Sequence, residues 1–473
     1  MSVATLTTFC VYIVGMLAIG IFAYLATNSL GDYILGGRRL GPAVTALSAG
    51  ASDMSGWLLL GVPGAVYLSG LGEAWIVIGL VIGAWLNWSY VAHPLRVSTE
   101  SLQALTLPDY FEARFKDKSN LLRLLSAVVI LVFFTFYAAS GMVAGATLFS
   151  TSFGLSYLTS LLLGAFVIVT YTMIGGFLAV SWTDFIQGLL MLFALVAVPL
   201  VMLMELGGPG QALVVIDELR PGYSSLFSGA TLLGVVSLMA WGLGYFGQPH
   251  ILVRFMAIGQ AGNMVRAKRI GMSWMILSTA GALAVGLFGI AYLAEQGVVL
   301  ADADTESVFI VATQLIFNPW LAGILLAGIL AAVMSTIDSQ LLVSSSALSE
   351  DFYKTWLRPG AGQTELVIVG RITVLMIAVI ATVIALDPGS KVLGLVSYAW
   401  AGLGASFGPV ILLSLYWQGM SRDGALAGML TGALTVVVWK QLQGGPFDVY
   451  EILPGFILSA LMIVLVSKLS PRS

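Results

Sequence analysis

The 473-residue chain is 59% hydrophobic, has only 9% charged residues and carries a net charge of −3. A typical soluble domain has about 25% charged residues, so this composition excludes the soluble enzyme classes and indicates an all-α integral membrane protein. The small net charge indicates no nucleic-acid partner, and a single cysteine, Cys10, excludes an internal disulfide. His93 and His250 lack the spacing of a metal site.

Hydrophobic runs of about 20 residues are long enough to cross a bilayer, and they divide this chain into about thirteen predicted spans. The first basic residue is Arg38, so we expect the first run to be a retained helix, since a cleavable signal begins with basic residues. The predicted spans cover residues 6–26, 43–67, 73–93, 122–149, 156–177, 183–205, 230–256, 271–294, 319–347, 366–386, 392–417, 424–443 and 452–468.

The distribution of Lys and Arg predicts the orientation, because cytoplasmic loops are enriched in these residues. We place loops 27–42, 94–121, 257–270, 348–365 and 418–423 and the C-terminus in the cytoplasm. With helix ends counted on their nearer side, 17 of the 20 Lys and Arg residues then lie inside. An odd number of spans puts the two termini on opposite sides. The N-terminus is therefore predicted to be external and the C-terminus cytoplasmic.

Two predicted spans are interrupted by glycine-rich stretches, the second around residues 50–56 and the seventh around residues 241–249. They cross the membrane in opposite directions, and paired broken helices in two inverted halves indicate a binding site near the bilayer midplane. We therefore predict one transmembrane transporter domain over 1–473. It comprises an extra first helix and loop (1–42), a first repeat (43–205), a second repeat (230–417), and two extra helices with a short tail (424–473).

Asp53 lies inside the second span, within the sequence Ser-Ala-Gly-Ala-Ser-Asp-Met-Ser-Gly-Trp that ends at Trp57. An ionised carboxylate at this depth costs about 2.5–3.5 kcal/mol on insertion scales. A bound cation would offset that cost, and an interrupted helix frees carbonyls to bind it. The alternative is a structural carboxylate that caps the broken helix end.

Ser335 and Thr336 lie side by side in the ninth span. A hard cation needs several oxygen ligands, and two hydroxyls with carbonyls from a broken helix would supply them. The alternative is that both hydroxyls bond back to carbonyls of their own helix.

Asp338 is three residues beyond Ser335 and faces nearly the same side of the helix. It either extends the cation path or reaches the inner membrane surface.

Asp184 lies at the inner end of the sixth predicted span, in Val-Ser-Trp-Thr-Asp. One interpretation is that Thr183 or Asp184 caps the start of this helix, where the helix dipole favours a negative charge. The other is that Asp184 relays the ion toward the cytoplasm. The sequence leaves both interpretations open.

Four aromatic residues lie beside the two breaks or at a spacing that could face them: Trp57, Tyr137, Trp241 and Tyr245. Glycines flank Trp241 and Tyr245, and we expect them to leave both aromatic faces open to a ligand. Most aromatic residues in membrane proteins serve packing or the interfacial belt instead.

The chain resembles the sodium/solute symporter family over nearly its whole length. The stretches that carry the resemblance are Asp32–Arg38, Leu47–Trp57, Gly176–Asp184, Trp241–His250 and Gly394–Gly402. The resemblance implies a LeuT-type fold with a five-plus-five inverted repeat and broken helices in spans 2 and 7. It also implies sodium-coupled uptake of L-proline, with Na⁺ as the coupling ion, across the inner membrane of a bacterium. One departure from the family is Asp338, where a well-known member has a serine, and it leaves the ion stoichiometry open.

Residue roles also follow from the resemblance. It implies a sodium site made of the carbonyls of Ala51, Met54 and Ala332 with the hydroxyls of Ser335 and Thr336. It implies that Asp53 is needed for sodium-coupled binding and that Asp184 helps sodium to leave inward. The residues implied for the substrate site are Ser55, Gly56, Trp57, Tyr137, Trp241, Tyr245 and Pro249.

Other functions remain to be weighed against this hypothesis. The nearest alternative is a symporter of another small solute on the same fold. A channel would need a continuous polar pore, whereas Asp53 is isolated among bulky aromatic residues. An enzyme would need a catalytic constellation, and the sequence has no such motif. We therefore expect a transporter that contacts membrane lipid and needs no cofactor beyond its coupling ion.

Overall fold

The computed structural model describes residues 3–25, 34–172 and 176–470, and within them every regular element is a helix. Residues 27–33 of the predicted 27–42 loop, with Asp32 and Tyr33 of the first family stretch, lie outside the described part, as do residues 173–175 of the fifth predicted span and the last three residues. Leu40 lies just before the helix that begins at Pro42, and Ile258 lies just after the helix that ends at Ala257. These two residues form an isolated parallel bridge.

The described N-terminal half contains ten α-helices. They are α1 (Val3–Leu25), α2 (Pro42–Asp53), α3 (Val62–Ser69), α4 (Ala74–Leu86), α5 (Ala92–Ser101), α6 (Leu107–Phe115), α7 (Leu121–Phe153), α8 (Tyr157–Thr172), α9 (Phe177–Glu205) and α10 (Pro209–Leu219). Short π-helices at Trp57–Gly61 and Asn87–Val91 lead into α3 and α5, and 3-10 turns form at Gly36–Arg38 and Leu71–Glu73.

The described C-terminal half contains nine α-helices. They are α11 (Leu232–Met239), α12 (Pro249–Ala257), α13 (Met264–Glu295), α14 (Val308–Ile316), α15 (Pro319–Ser346), α16 (Gln363–Ile384), α17 (Val392–Tyr416), α18 (Arg422–Trp439) and α19 (Ile452–Leu469). The 3-10 segments are Ala240–Gly247, Ala261–Asn263, Asp302–Ser307 and Gly445–Asp448, and a π-helix extends α15 over Ala347–Leu357.

Nine helical stretches of the described chain are long and apolar enough to cross a membrane. Their burial separates inner from outer helices. The most apolar window of the stretch containing α15 is 83% buried, and that of α17 is 78% buried, whereas that of α1 is 22% buried. The functional residues predicted on α15 therefore lie in the centre of the bundle. The count of thirteen spans stays a prediction, since some predicted spans correspond to shorter helices.

The first interruption follows α2, which ends at Asp53. Met54 has φ −85° and ψ 87°, outside the helical region, and the chain resumes as the π-helix that begins at Trp57. Pro63 has no N–H to donate to the carbonyl four residues earlier. The turn before Pro63 is a π-helical turn, in which the N–H of Val62 donates a hydrogen bond to the carbonyl of Trp57, five residues earlier.

The second interruption separates α11 and its 3-10 extension from α12. Gln248 is extended, with φ −89° and ψ 106°, and Pro249 begins α12. A proline disfavours the helical conformation in the residue before it, which accounts for the break at this position. The glycines of the 3-10 segment also allow close packing, because a Cβ on Gly242 would lie 2.2 Å from the carbonyl oxygen of Gly79 in α4.

The structure moves several predicted boundaries. The helix containing Asp184 begins at Phe177 rather than at residue 183, so the interpretation of Asp184 as a helix cap is wrong. Helical structure after the third predicted span continues to Ser101, and α6 forms within the predicted 94–121 loop. In each case hydropathy identified only the apolar part of the helix. The helix itself extends further, because its polar end residues also form helical backbone hydrogen bonds.

Candidate functional site

The broken end of α2 packs directly against the middle of α15. Ser335 donates a hydrogen bond of 2.8 Å from its hydroxyl to the carbonyl of Ala51, and the Thr336 hydroxyl lies 3.3 Å from the same oxygen. The Ser335 hydroxyl also lies 3.2 Å from the carbonyl of Ala332. Four of the five predicted sodium-site residues therefore meet at one point, although they come from parts of the chain some 280 residues apart.

The interruption makes this carbonyl available. In a continuous helix the N–H of Ser55 would bond the carbonyl of Ala51, but here it bonds the carbonyl of Asp53 at 3.1 Å. The fifth predicted residue, Met54, lies in the break itself and is fully buried. Carbonyl and hydroxyl oxygens are the ligands that a hard cation such as Na⁺ prefers, so the donor set fits the predicted ion.

Asp53 links the two broken helices. Tyr245 donates a hydrogen bond of 2.5 Å to its Oδ2, whereas its Oδ1 has no hydrogen-bond partner in the described part of the chain. The backbone carbonyl of Asp53 accepts bonds from the indole N–H of Trp57 at 3.0 Å and from the hydroxyl of Tyr137 at 3.1 Å. No described Lys, Arg or His pairs with this carboxylate. The carboxylate therefore lies within the bundle without a described cationic partner.

The residues predicted for the substrate fall into three groups. Ser55, Gly56, Trp57, Tyr137 and Tyr245 are buried around the carboxyl and carbonyl groups of Asp53. Gly56 permits the close approach of α7, since a Cβ at this position would lie 2.5 Å from that of Ala144.

The other two residues lie at the boundaries of this group. Trp241 lines a cavity of about 430 Å³ together with Lys391, Glu306 and Glu451. Pro249 lies on another side, where it lines a narrow crevice that extends to Thr106 and Asp351. The structure thus divides the seven residues among three places rather than gathering them in a single shell.

Trp241 and Tyr245 each contact a neighbouring aromatic ring, which the expectation of open aromatic faces did not include. Trp241 stacks on Tyr450 with ring centroids 5.1 Å apart, and Tyr245 meets Trp400 edge-on at 5.1 Å. A Cβ on Gly244 would lie 1.8 Å from the indole nitrogen of Trp400. Gly244 therefore admits the ring of Trp400 beside Tyr245, while Trp241 both stacks on Tyr450 and lines the cavity.

The acidic loop before α14 borders the large cavity. Glu306 accepts hydrogen bonds from the backbone N–H groups of Val392 at 2.9 Å and Leu393 at 3.2 Å, at the start of α17. Burial raises the pKa of the Glu306 carboxyl above its usual value, while the two backbone hydrogen bonds oppose this change. The carboxylate thus caps α17, where the helix dipole favours a negative charge.

Asp184 forms a fully buried ion pair with Arg254. The sequence analysis counted Arg254 only among the basic residues that predict the orientation in the membrane. The guanidinium group lies 3.2 Å from Asp184 Oδ2, and the hydroxyl of Ser48 donates to the same oxygen at 2.6 Å. Arg254 also lies 2.5 Å from the hydroxyl of Ser339, one turn beyond Ser335. This pair therefore joins α2, α9, α12 and α15 on one side of the predicted sodium site. A basic residue within an apolar stretch was the signal that could have revealed it.

Asp338 is separate from that pair. Its carboxylate accepts a hydrogen bond from Thr172 at the end of α8, and its side chain is 1% exposed. The interpretation that Asp338 reaches the inner membrane surface is therefore wrong. It borders a small cavity with Leu17 of α1 and Val180 of α9.

Comparisons with known proteins agree with this arrangement. The family model described as "Sodium:solute symporter family" matches residues 33–432. The chain is 58% identical to the "Sodium/proline symporter" of Escherichia coli, over 99% of this chain and 93% of that protein. It is 54% identical to the "High-affinity proline transporter PutP" of Bacillus subtilis, over 96% of each chain.

Solved structures show the fold. A Na⁺-coupled sialic acid symporter in its substrate-bound, outward-open state superposes with a TM-score of 0.84 at 16% identity, over 100% of this chain and 99% of the other. MhsT in complex with L-phenylalanine gives a TM-score of 0.55 at 15% identity, over 91% of this chain and 98% of the other. The prediction of an all-helical membrane protein of the LeuT type is confirmed. The chain belongs to the sodium:solute symporter family.

Proposed function

We propose that this protein is a secondary active transporter that couples the entry of Na⁺ to the uptake of L-proline across a bacterial inner membrane. The observation that carries the proposal is the freed carbonyl of Ala51, which meets the Ser335 and Thr336 hydroxyls beside the unpaired carboxylate of Asp53. Relatives at 54–58% identity are named as proline transporters, which supports proline as the substrate.

In this proposal the sodium ion is held by the carbonyls of Ala51, Met54 and Ala332 and by the two hydroxyls on α15. Ordering the end of α2 around the ion positions the backbone of Ser55, Gly56 and Trp57 for the substrate. The aromatic rings near the break suit both the apolar ring of proline and its secondary ammonium group. The sodium site and the substrate site therefore share one stretch of backbone.

The direction of transport follows from the proposed orientation, with the N-terminus outside and the C-terminus in the cytoplasm. Sodium and proline would enter past Trp241 from the cavity lined by Lys391 and Glu451. Asp184 accepts a hydrogen bond from Ser48, one turn before Ala51 on α2, and would help the ion to leave inward. A membrane potential of about 100 mV supplies roughly 2.3 kcal/mol per charge, enough for about 40-fold accumulation before the sodium gradient contributes.

Uptake of labelled proline into proteoliposomes tests the proposal. We expect accumulation when sodium is high outside and low inside, and no accumulation when potassium replaces sodium. Dissipating the sodium gradient with an ionophore is expected to release the accumulated proline. Sodium-independent uptake of the same size would contradict the coupling.

A symporter of another small solute is the alternative function. Competition by unlabelled amino acids and other small solutes at the same sodium concentration separates the two hypotheses. Proline is expected to compete at the lowest concentration. A solute that competes at lower concentrations than proline, and is itself accumulated, would replace proline in the proposal.

A further inference from the structure

His250 is a fully buried polar residue beside the proposed substrate site, and the functions above do not use it. Its side chain is 0% exposed and lies against two aromatic rings of α7. The imidazole meets Phe134 edge-on at 5.4 Å and Tyr137 edge-on at 5.9 Å, measured between ring centroids. These rings hold the imidazole in one place and cover it with apolar surface.

Neither ring nitrogen of His250 has a hydrogen-bond partner in the described chain. A neutral imidazole carries one N–H donor and one acceptor nitrogen. Leaving such groups unpaired away from water costs about 1–3 kcal/mol each. The position is therefore unfavourable for a residue that serves packing alone, since Phe or Leu would fill it without this cost.

The location of His250 indicates the sign of charge that it would bind. It occupies the first turn of α12, which begins at the second helix break and has no side-chain cap. The N-terminal end of a helix carries a partial positive charge that favours an anion. A ring N–H at that end would donate a hydrogen bond to the same anion.

The opposite end of the site carries the opposite charge. Tyr137, which contacts His250, donates its hydroxyl to the carbonyl of Asp53, and the carboxylate of Asp53 has an unpaired oxygen. Arg254, one turn beyond His250, is already paired with Asp184. A zwitterion between His250 and Asp53 would therefore meet a donor and a helix dipole at one end and a carboxylate at the other.

We infer that His250 and the N-terminal turn of α12 bind the carboxylate of the amino-acid substrate, with the ammonium group toward Asp53. This inference rests on the proposed function and adds the orientation of the substrate to it. It makes His250 a residue that determines specificity for a free carboxylate. An uncharged amide in place of that carboxylate would lose the electrostatic part of the interaction.

The test compares proline with prolinamide, which has a neutral amide in place of the carboxylate. Binding of labelled proline to the purified protein is measured at saturating sodium, with each compound as competitor. We expect His250→Phe to weaken proline binding by tenfold or more. The ratio of the affinity for proline to the affinity for prolinamide should then fall toward one. His250→Gln keeps an amide donor and is expected to retain more of the preference.

Phe134→Leu is the matched control, because it removes a ring packed on His250 and keeps both imidazole nitrogens. We expect it to leave the preference for proline over prolinamide unchanged. Sodium binding measured without proline reports whether each variant is folded. If His250→Phe does not fold, His250→Leu takes its place, because it also removes both imidazole nitrogens, and an unchanged preference for proline over prolinamide in that variant overturns the inference.

Two other results would also overturn it. A His250→Phe variant with the wild-type preference would show that the histidine is only part of the core. An equal loss of proline and prolinamide binding would show that His250 only stabilises the fold. A wild-type protein that binds no proline at saturating sodium would instead overturn the proposed function, and this inference with it.

Discussion

At the scale of single residues, Asp53 combines two roles that a substitution can separate. Its backbone carbonyl accepts three hydrogen bonds that shape the break, from Ser55, Trp57 and Tyr137, and these do not depend on the side chain of Asp53. Its carboxylate accepts one bond from Tyr245 and leaves a charged oxygen unpaired. Structure and charge at this position can therefore be tested independently.

We predict that Asp53→Asn abolishes sodium-driven proline uptake while the protein remains folded, because the amide oxygen can still accept from Tyr245 but the negative charge is lost. Asp53→Glu is expected to retain part of the uptake. Tyr245→Phe is the control, since it removes the hydrogen bond and keeps the charge, and it should retain dependence on sodium. Unchanged uptake by the Asn variant, with the same sodium dependence, would exclude the role of the charge.

We predict that Ser335→Ala and Thr336→Ala each raise the sodium concentration for half-maximal proline binding, by about tenfold or more, since each removes an oxygen ligand from a hard-cation site. Ser278→Ala is the matched control, because the Ser278 hydroxyl bonds the carbonyl of Trp274 in its own helix. Sodium titrations of proline binding measure the effect. If the Ser335 and Thr336 variants behave like the control, their hydroxyls serve the helix alone.

At the scale of the helices, the Asp184–Arg254 pair holds four elements together in the centre of the bundle. Its members are 0% exposed, and the hydroxyls of Ser48 and Ser339 add hydrogen bonds to it, while Oδ1 of Asp184 has no partner in the described part of the chain. Removing one charge from a buried pair leaves the other uncompensated, at a cost of about 3–5 kcal/mol. Replacing both charges by neutral groups avoids that cost.

We therefore predict that Arg254→Gln and Asp184→Asn each lower the thermal unfolding temperature strongly, and that the double variant is more stable than either single variant. The comparison is a double-mutant cycle in detergent or lipid. Arg358→Gln provides a control, because it breaks the exposed Arg358–Glu365 pair and exposed pairs contribute about 0–1 kcal/mol. Additive losses in the double variant would mean that the two residues stabilise the bundle separately.

At the scale of the whole molecule, the broken end of α2 brings the predicted sodium ligands and the predicted substrate contacts onto one short segment. The carbonyl of Ala51 faces the hydroxyls of α15, whereas Asp53 contacts the aromatic side chains of Trp57, Tyr137 and Tyr245. Because the helix is interrupted at Met54 and Ser55, we expect bound ligands to add order to this segment. Coupling between sodium and proline binding follows from this arrangement.

We predict that sodium raises the affinity for proline by about 5–150-fold, the range of typical coupling free energies, and that proline raises the affinity for sodium by the same factor. Trp57→Ala is expected to weaken proline binding strongly and to leave sodium binding without proline nearly intact. Calorimetry or scintillation-proximity binding of each ligand, with and without the other, measures both factors. A proline affinity that stays constant from zero to saturating sodium would contradict the shared segment.

The sequence by itself determined the features that arise from local chemistry. Low charge and long apolar runs identify a helical membrane protein, because lipid requires every backbone polar group to be bonded within the helix. Pro249 marks the second break, since proline removes a donor and restricts the residue before it. Asp53, Ser335 and Thr336 stood out because polar groups are costly in an apolar span.

Only the tertiary structure decided which of these groups meet. The hydroxyls of Ser335 and Thr336 reach Ala51, Asp184 pairs with Arg254, and Asp338 bonds Thr172 instead of joining that pair. The contacts cross between helices whose relative rotation depends on packing over the whole bundle. Local spacing places a residue on one face of its own helix, but it cannot specify which helix lies opposite that face.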